Sequence, residues 1–201
     1  MTHFLEKGQK APLAHTKQAR ERIVAGLSWD AREDKVSMLK RVQGDSQHDL
    51  DINCYIYNKE GECIDYVGSE AQDSMDESEK IYHSGDDQSG AGDGDDEFIS
   101  AELAALPKNI YGIVYLVEIR SQHVFTDVAT PFARIADGFD DKNLLEININ
   151  GDGAERSNAF IMCAVQRDRT SPTGWKLYNI SEFPDISQIE SWGDYLSQFM
   201  D

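Results

Sequence analysis

The chain has 201 residues, of which 37 are acidic and 19 are basic, so its formal net charge is −18. Proteins that bind nucleic acid through its phosphates need a basic surface, and this balance argues against such a function. The length suits one domain with short terminal extensions, and the hydrophobic fraction of 40% is sufficient for a core.

The three cysteines, Cys54, Cys63 and Cys163, are too few for a disulfide framework and form no CxxC motif. The N-terminus has no apolar signal core, and no segment approaches the roughly 20 apolar residues of a membrane-spanning helix. We therefore expect a soluble, cytoplasmic protein that does not span a membrane.

Most of the chain shows the pattern of β-strands. Residues 23–29 and 48–57 alternate with a period of two, as half-buried strands do. Residues 111–119 are apolar on both faces, which is typical of a central strand. Further strands are predicted at residues 145–149, 158–165 and 175–180. Many short strands separated by turns predict a mainly β fold, a β-sandwich of two antiparallel sheets.

The end of the chain has a helical pattern instead. Asp185 follows Pro184 and precedes Gln188 by three residues, which resembles a capping box. Apolar side chains then recur at helical spacing, at Ile186, Ile189, Trp192, Leu196 and Phe199. We predict a C-terminal helix packed on the sandwich, and we divide the chain into a sandwich domain at residues 1–182 and a helical extension at residues 183–201.

Residues 69–97 hold few large apolar side chains, many acids and four glycines, so we expect a long loop without strands. Its last part, residues 85–97, reads GDDQSGAGDGDDE and is named the acidic loop. Its carboxylates are Asp86, Asp87, Asp93, Asp95, Asp96 and Glu97. Carboxylates this close repel one another, so without a cation some would have to protonate or point into solvent.

Calcium suits this loop best, because it takes six to eight oxygen ligands in flexible geometry and glycines let the backbone turn tightly. Magnesium demands stricter geometry, and zinc would find only His83 as a soft ligand nearby. The loop is not an EF-hand. Asp86 and Glu97 occupy positions 1 and 12, but Ala91 stands at position 6 where glycine is needed, and no amphipathic helices flank the loop.

A second group of oxygen ligands lies in the predicted strand at residues 48–57. Asp49, Asp51 and Asn53 are spaced by two, so they project from one face, with successive carboxylates roughly 7 Å apart. Alone, this pattern also fits a polar edge that faces solvent. Together with the acidic loop it favours a shared metal site. The oxygen-rich residues 148–153 are interpreted as a strand that ends in a turn, outside the site.

Catalysis finds little support in the sequence. The five histidines are scattered, and no GxSxG, P-loop or GxGxxG motif after a strand is present. We therefore expect a protein without enzymatic activity.

Several motifs resemble those of the TerD family. LEKGQKAPL at residues 5–13 resembles the family's L-x-K-G-x-x-x-x-L start, and GLSWD at residues 26–30 resembles its G-L-x-W-D strand end. DLD at residues 49–51 and the acidic loop resemble its D-L-D segment and its G-D-[ND]-x-x-G-x-G-x-x-D-[DE] loop. PFARI at residues 131–135 sits where the family carries an N-[AP]-[FY]-x-R-[IL] strand. The resemblance covers roughly residues 4–180.

The resemblance implies a calcium-binding sandwich without known catalytic activity that acts in resistance to tellurite and other chemical stress. It implies calcium ions as the cofactor, and other stress-response proteins near the membrane as partners. The family's metal ligands would correspond to Asp49, Asp51, Asp86, Asp87, Asp95, Asp96 and Glu97, with backbone oxygens near Gly90 and Gly92.

Two alternatives remain open. One is a metal-dependent hydrolase that uses the acidic loop, although no nucleophile or base beside the metal is evident. The other is a module that binds a small molecule such as a cyclic nucleotide, as the resemblance suggests.

Overall fold

The computed structural model describes residues 5–13, 22–30, 48–91 and 94–200. These residues form eleven strands and one short α-helix. In chain order the elements are β1 (Lys10–Pro12), β2 (Arg22–Asp30), β3 (Leu50–Tyr57), β4 (Cys63–Val67), β5 (Ile81–His83), β6 (Glu97–Glu102), β7 (Gly112–Ile119), β8 (Ala129–Asp137), β9 (Asn143–Asn148), β10 (Ala159–Arg167), β11 (Trp175–Glu182) and α1 (Trp192–Leu196).

The strands form two antiparallel sheets, which confirms the predicted β-sandwich. The first sheet has six strands in the order β1-β11-β10-β7-β3-β4, and the second has five in the order β5-β6-β2-β8-β9. Apolar side chains from both sheets meet in one core that includes Ile23 and Leu27 of β2, Ile52 and Ile56 of β3, and Val117 of β7. Within the described residues no helix is long and apolar enough to cross a membrane.

The register of β3 and β7, two neighbouring inner strands of the six-stranded sheet, determines which residues lie at each end of that sheet. Leu50 of β3 pairs with Ile119 of β7, and Tyr57 pairs with Gly112. Residues just before β3 and just after β7 therefore share one end of the sheet. At about 3.3 Å per residue, the eight residues of β3 place the opposite end roughly 25 Å away.

The prediction of a loop without strands at residues 69–97 is wrong for Ile81–His83, which forms β5 on the edge of the five-stranded sheet. The Asp76 carboxylate accepts hydrogen bonds from the backbone N–H groups of Ser78, Lys80 and Ile81, at 3.1, 2.8 and 2.7 Å. These bonds form a tight turn that leads into β5. A three-residue edge strand needs few apolar side chains, so its composition gives little signal.

The polar face of β3 does not form a solvent-facing edge. Asp51 is 2% exposed and Asn53 is fully buried, because β3 lies between β7 and β4. The Asn53 side chain donates to Glu118 at 3.1 Å and accepts from the Tyr66 hydroxyl at 2.7 Å. Asn53 thus belongs to the hydrogen bonding of the sheet.

The C-terminal segment contains the predicted helix, but the helix is short. The segment consists of a 3₁₀ turn at Ile186–Gln188, α1, and a second 3₁₀ turn at Ser197–Phe199. The Ser191 hydroxyl accepts a hydrogen bond from Asp194 N–H and so begins α1 anew instead of continuing the first turn. Leu196 and Phe199 then pack on the outer face of the six-stranded sheet, with Tyr57, Val114, Leu116, Ala159, Ile161, Ala164 and Ile180.

Candidate metal centre

The acidic loop meets the start of β3. Carboxylate oxygens of Asp49, Asp51 and Asp86 all lie within 4.8 Å of one another, and we name these three residues the acidic cluster. Asp86 is exposed, Asp49 is half-buried and Asp51 is buried. The cluster thus joins two of the segments that the sequence singled out, one from the six-stranded sheet and one from the loop.

The charges of the acidic cluster are only partly compensated. Burial, and then repulsion from Asp51 and Asp86, raise the pKa of Asp49 above its ordinary value. The Oδ1 atom of Asp49 is buried and meets no hydrogen-bond donor within the described residues. Arg120 donates from Nε to Asp51, and its side chain is 46% exposed. Among the described residues, one guanidinium therefore faces three carboxylates, which leaves an excess of negative charge in this part of the structure.

Glu97 lies beneath the loop and ties the two sheets together. Its Oε2 accepts a hydrogen bond from Ile52 N–H of β3, and its Oε1 accepts one from Asp87 N–H of the loop, each at 3.0 Å. His83 Nε2 is 3.3 Å from Oε2, and both side chains are fully buried. Burial raises the pKa of the Glu97 carboxyl despite these favourable contacts. Its position is that of an internal support for the loop.

Asp87 shapes the first turn of the acidic loop. Its Oδ1 accepts hydrogen bonds from Ser89 N–H at 2.7 Å, from the Ser89 hydroxyl at 2.9 Å and from Gly90 N–H at 3.0 Å. These bonds lower the pKa of the Asp87 carboxyl. Gly90 has a φ of +58° and lies against Trp29, where a Cβ atom would come within 2.8 Å of the Trp29 carbonyl oxygen. Glycine is therefore required at this position.

The end of the loop is engaged by β2 and β8. Arg134 donates from Nε to Oδ1 of Asp95 and from Nη2 to Oδ2, both at 2.9 Å. Asp96 Oδ2 accepts from Trp29 N–H at 2.9 Å, and burial, followed by nearby carboxylates, raises the pKa of Asp96. Asp95 and Asp96 thus anchor the loop, while their neighbours Gly92 and Asp93 lie outside the described residues.

Sequence reasoning missed the two arginines of the site, Arg120 and Arg134. Arg120 directly follows β7, and its backbone N–H donates to the Asp49 carbonyl at 2.9 Å, so the pairing of β3 with β7 would have placed it here. Arg134 pairs with Gly26 across β2 and β8, and Gly26 leaves the space that the Asp95 carboxylate fills. Arg120 carries no signal without the sheet register, whereas Arg134 is the arginine of the PFARI motif, whose place in the site was not predicted.

The oxygen ligands that the acidic cluster offers fit a hard divalent cation. All three are carboxylates, and Asp49 Oδ1 is a buried acceptor without a donor in the described part of the chain. Calcium prefers such oxygen ligands and accepts irregular geometry. Zinc fits less well, because the Nδ1 atom of His83 already accepts from Gly85 N–H at 2.9 Å and its Nε2 faces Glu97.

Comparison with known proteins identifies the family. The TerD domain model matches residues 1–182. The chain belongs to the TerD family. Among TerD relatives, General stress protein 16U of Bacillus subtilis (strain 168) is 31% identical over 160 residues, which cover 76% of this chain and 77% of the relative. Tellurium resistance protein TerX of Serratia marcescens is 28% identical over 220 residues, which cover both chains completely.

A solved structure of a TerD relative shares the fold. The crystal structure of a homologue of telluride resistance protein (TerD), SCO6318 from Streptomyces coelicolor A3(2), superposes with a TM-score of 0.64 at 19% identity. The match covers 89% of this chain and 96% of that one. This match shows the fold, and the TerD domain match confirms the family assignment made from residues 5–13, 26–30, 49–51, 85–97 and 131–135.

Proposed function

We propose that this chain is a non-catalytic calcium-binding protein of the stress response, in which calcium holds the acidic loop against the start of β3. The observation that carries the proposal is the acidic cluster, with the buried, unpartnered Oδ1 of Asp49. Relatives named as stress and tellurium resistance proteins support the assignment to the response to chemical stress, tellurium compounds included.

The chain's own residues prepare the site from two sides. Asp49 and Asp51 stand on the first sheet, and Glu97 fixes the loop beneath them through Ile52 and Asp87. When bound, calcium would supply the positive charge that the cluster lacks. Asp86, the exposed member, is then the ligand that couples the loop to the sheet. Asp87, Asp95, Asp96 and Glu97 are also predicted as ligands from the sequence, but in the structure they accept hydrogen bonds from the protein itself, and we assign them the role of holding the loop in place. Backbone oxygens near Gly90 and Gly92 stay in the proposed ligand set.

A double-mutant cycle tests whether strand and loop form one site. We expect Asp51→Asn and Asp86→Asn each to weaken calcium binding by at least tenfold, equivalent to about 1.4 kcal/mol. The double variant should lose less than the sum, because the second substitution falls on a site already broken. Titration calorimetry of chelator-treated protein with calcium, then with magnesium, measures both affinities, and calcium should bind more tightly.

Two further variants sharpen this cycle. Asp152→Asn is the matched control, since Asp152 is exposed and lies in the stretch assigned outside the site, and it should bind calcium normally. Asp95→Asn tests a residue that anchors the loop through its ion pair with Arg134. If Asp95 acts only by holding the loop in position, the loss of calcium affinity in Asp95→Asn should add to the loss in Asp51→Asn. Unchanged calcium affinity in Asp51→Asn and Asp86→Asn would refute the shared site.

The effect of calcium on stability should depend on pH. The pKa values of Asp49, Asp96 and Glu97 are raised in the folded protein, in each case mainly by burial. A carboxyl with a raised folded pKa contributes stability below its unfolded pKa of about 4, and this contribution is lost as pH rises through the folded pKa. Without calcium, these groups therefore favour the folded state least near neutral pH.

Calcium requires the ionised carboxylates, so protons compete with it. We expect the calcium-dependent increase in melting temperature to be larger at about pH 7.5 than at about pH 5. Melting curves of metal-free protein with and without excess calcium at both pH values provide the measurement. An increase that is equal at the two pH values, or larger at the acidic one, would contradict this expectation.

A further inference from the structure

A second charged feature lies at the opposite end of the six-stranded sheet from the acidic cluster. Here a groove with a volume of about 700 Å³ runs between the turn after β3, the segment before β7 and the hairpin that joins β10 to β11. We name it the basic groove. Its cationic lining residues are Lys59, Lys108, Arg167, Arg169 and Lys176. Five of the chain's 19 lysines and arginines thus border one groove in a protein of net charge −18.

Most of these cations lack a counter-ion. Elsewhere in the described residues every arginine pairs with a carboxylate: Arg22 with Glu102, Arg120 with Asp51, Arg134 with Asp95 and Arg156 with Glu155. Arg167 and Arg169 are the exceptions, and Lys59 and Lys108 likewise form no ion pair within the described parts of the chain. In an acidic protein, positive side chains left unpaired side by side are unusual enough to need an explanation.

Arg167 is held in place by the fold. Its Nε donates to the Ile110 carbonyl at 2.7 Å, and its Nη2 donates to the carbonyls of Leu106 and Pro107 at 3.1 Å. The guanidinium also lies 4.6 Å from the centre of the Trp175 ring. Partial burial without a carboxylate lowers the pKa of this guanidinium. Arg167 thus contributes a positive charge of fixed position to the lining of the groove.

Among the described residues that line the groove, Asp168 is the one acid, and it is already engaged. Asp168 Oδ1 accepts from the backbone N–H of Thr170 at 2.8 Å and from its hydroxyl at 2.7 Å, within the hairpin turn. The described lining therefore combines the fixed Arg167 with the exposed Lys59, Lys108 and Arg169 and the half-buried Lys176, and its charge is positive. Such a set suits phosphate groups, which accept several charge-assisted hydrogen bonds at once.

We propose that the basic groove binds a small ligand that carries two or more phosphate groups. The cations come from three separate segments around the groove, so a ligand with charges at both ends can contact more of them than a single phosphate can. A long polyanion is disfavoured, because beyond the groove it would meet the acidic remainder of the surface. At about 0.15 M salt, charges more than about 8 Å away are largely screened, so a small ligand experiences mainly the local cations.

Tripolyphosphate, as its sodium salt, is a suitable probe. We expect calorimetry in about 0.15 M salt without added calcium to show saturable binding with a Kd below about 1 mM. The double substitution Lys108→Gln with Arg169→Gln should weaken binding at least tenfold. Both residues are exposed, so the fold should survive, whereas Arg167 is left intact because it supports the segment before β7.

The matched control is Lys142→Gln with Arg156→Gln, which removes the same charge from exposed positions away from the groove. Its affinity should stay within about twofold of the native protein. Equal losses of affinity in the two double variants would overturn the proposal in favour of diffuse electrostatic attraction. The proposal would also be overturned if neither the probe nor the vesicles described below showed saturable binding. Groove-dependent self-association in sedimentation experiments, with no phosphate binding, would overturn it in favour of a second copy.

Vesicles distinguish the source of the phosphate. In one outcome, the protein sediments with phosphatidylcholine vesicles that contain phosphatidylinositol bisphosphate but not with vesicles of phosphatidylcholine alone. If the Lys108→Gln and Arg169→Gln double variant abolishes this co-sedimentation, the phosphates are those of a lipid headgroup. Binding of tripolyphosphate without vesicle binding would assign them to a free ligand. Both outcomes support the proposal.

Discussion

The melting temperature of the chelator-treated protein should rise by about 5–10 °C when calcium is added to 100 times its Kd. Binding to the native state alone at that concentration adds about 2.7 kcal/mol to the free energy of unfolding. For a protein of this size, each 1 kcal/mol shifts the melting temperature by roughly 2–4 °C. The physical cause is relief of the repulsion among Asp49, Asp51 and Asp86.

The same melting experiment contains its own controls. The Asp51→Asn and Asp86→Asn double variant should show little calcium-dependent increase, because it lacks two of the three clustered carboxylates. Its calcium-free melting temperature reports the balance between the repulsion that is removed and the ion pair of Asp51 with Arg120 that is lost. Superimposable curves of the native protein with calcium and with chelator would refute calcium binding at this site.

Replacing Glu97 with alanine should destabilise the protein by about 3 kcal/mol or more, with or without calcium. The carboxylate is fully buried and accepts from the backbone N–H groups of Ile52 and Asp87. Its removal leaves the buried N–H of Ile52 and the half-buried N–H of Asp87 without their partner, and it leaves a cavity where the sheets meet. Each unsatisfied buried donor costs about 1–3 kcal/mol.

Urea unfolding measures this loss, with Glu146→Ala as the control. Glu146 is exposed on β9 of the same sheet, and its removal should change the unfolding free energy by less than about 0.5 kcal/mol. If Glu97→Ala lowered calcium affinity but left the calcium-free stability unchanged, Glu97 would be a ligand only and its structural role would be wrong.

The strands with strong alternation or continuous apolar runs could be predicted from sequence. β2, β3, β7, β9, β10 and β11 all coincide with predicted segments to within a few residues. β1 and β5 have three residues each and were not predicted. β4 (CIDYV) and β6 (EFISAE) were also missed, because each is short and its acids interrupt the apolar pattern, so that it depends on its neighbours in the sheet. β8 was indicated only through the family resemblance at residues 131–135.

The candidate metal site divides in the same way. Spacing along β3 and the density of carboxylates in the acidic loop predict that these two segments meet, and the structure brings Asp49, Asp51 and Asp86 together. The ion pair of Asp95 with Arg134 and the contact of Glu97 with Ile52 depend on sheet register and on how the two sheets approach each other. These are tertiary contacts, and no local pattern in a single sequence predicts them.

The C-terminal segment determines how far this protein can be shortened. The family match ends at residue 182, yet Leu196 and Phe199 cover apolar side chains on the outer face of the first sheet. A chain shortened to residues 1–182 would expose a contiguous apolar surface formed by Tyr57, Val114, Leu116, Ile161 and Ile180. Surfaces of this kind promote aggregation. The end of the family match is therefore a poor boundary for a soluble fragment, and residues 183–200 are best retained in any shortened version.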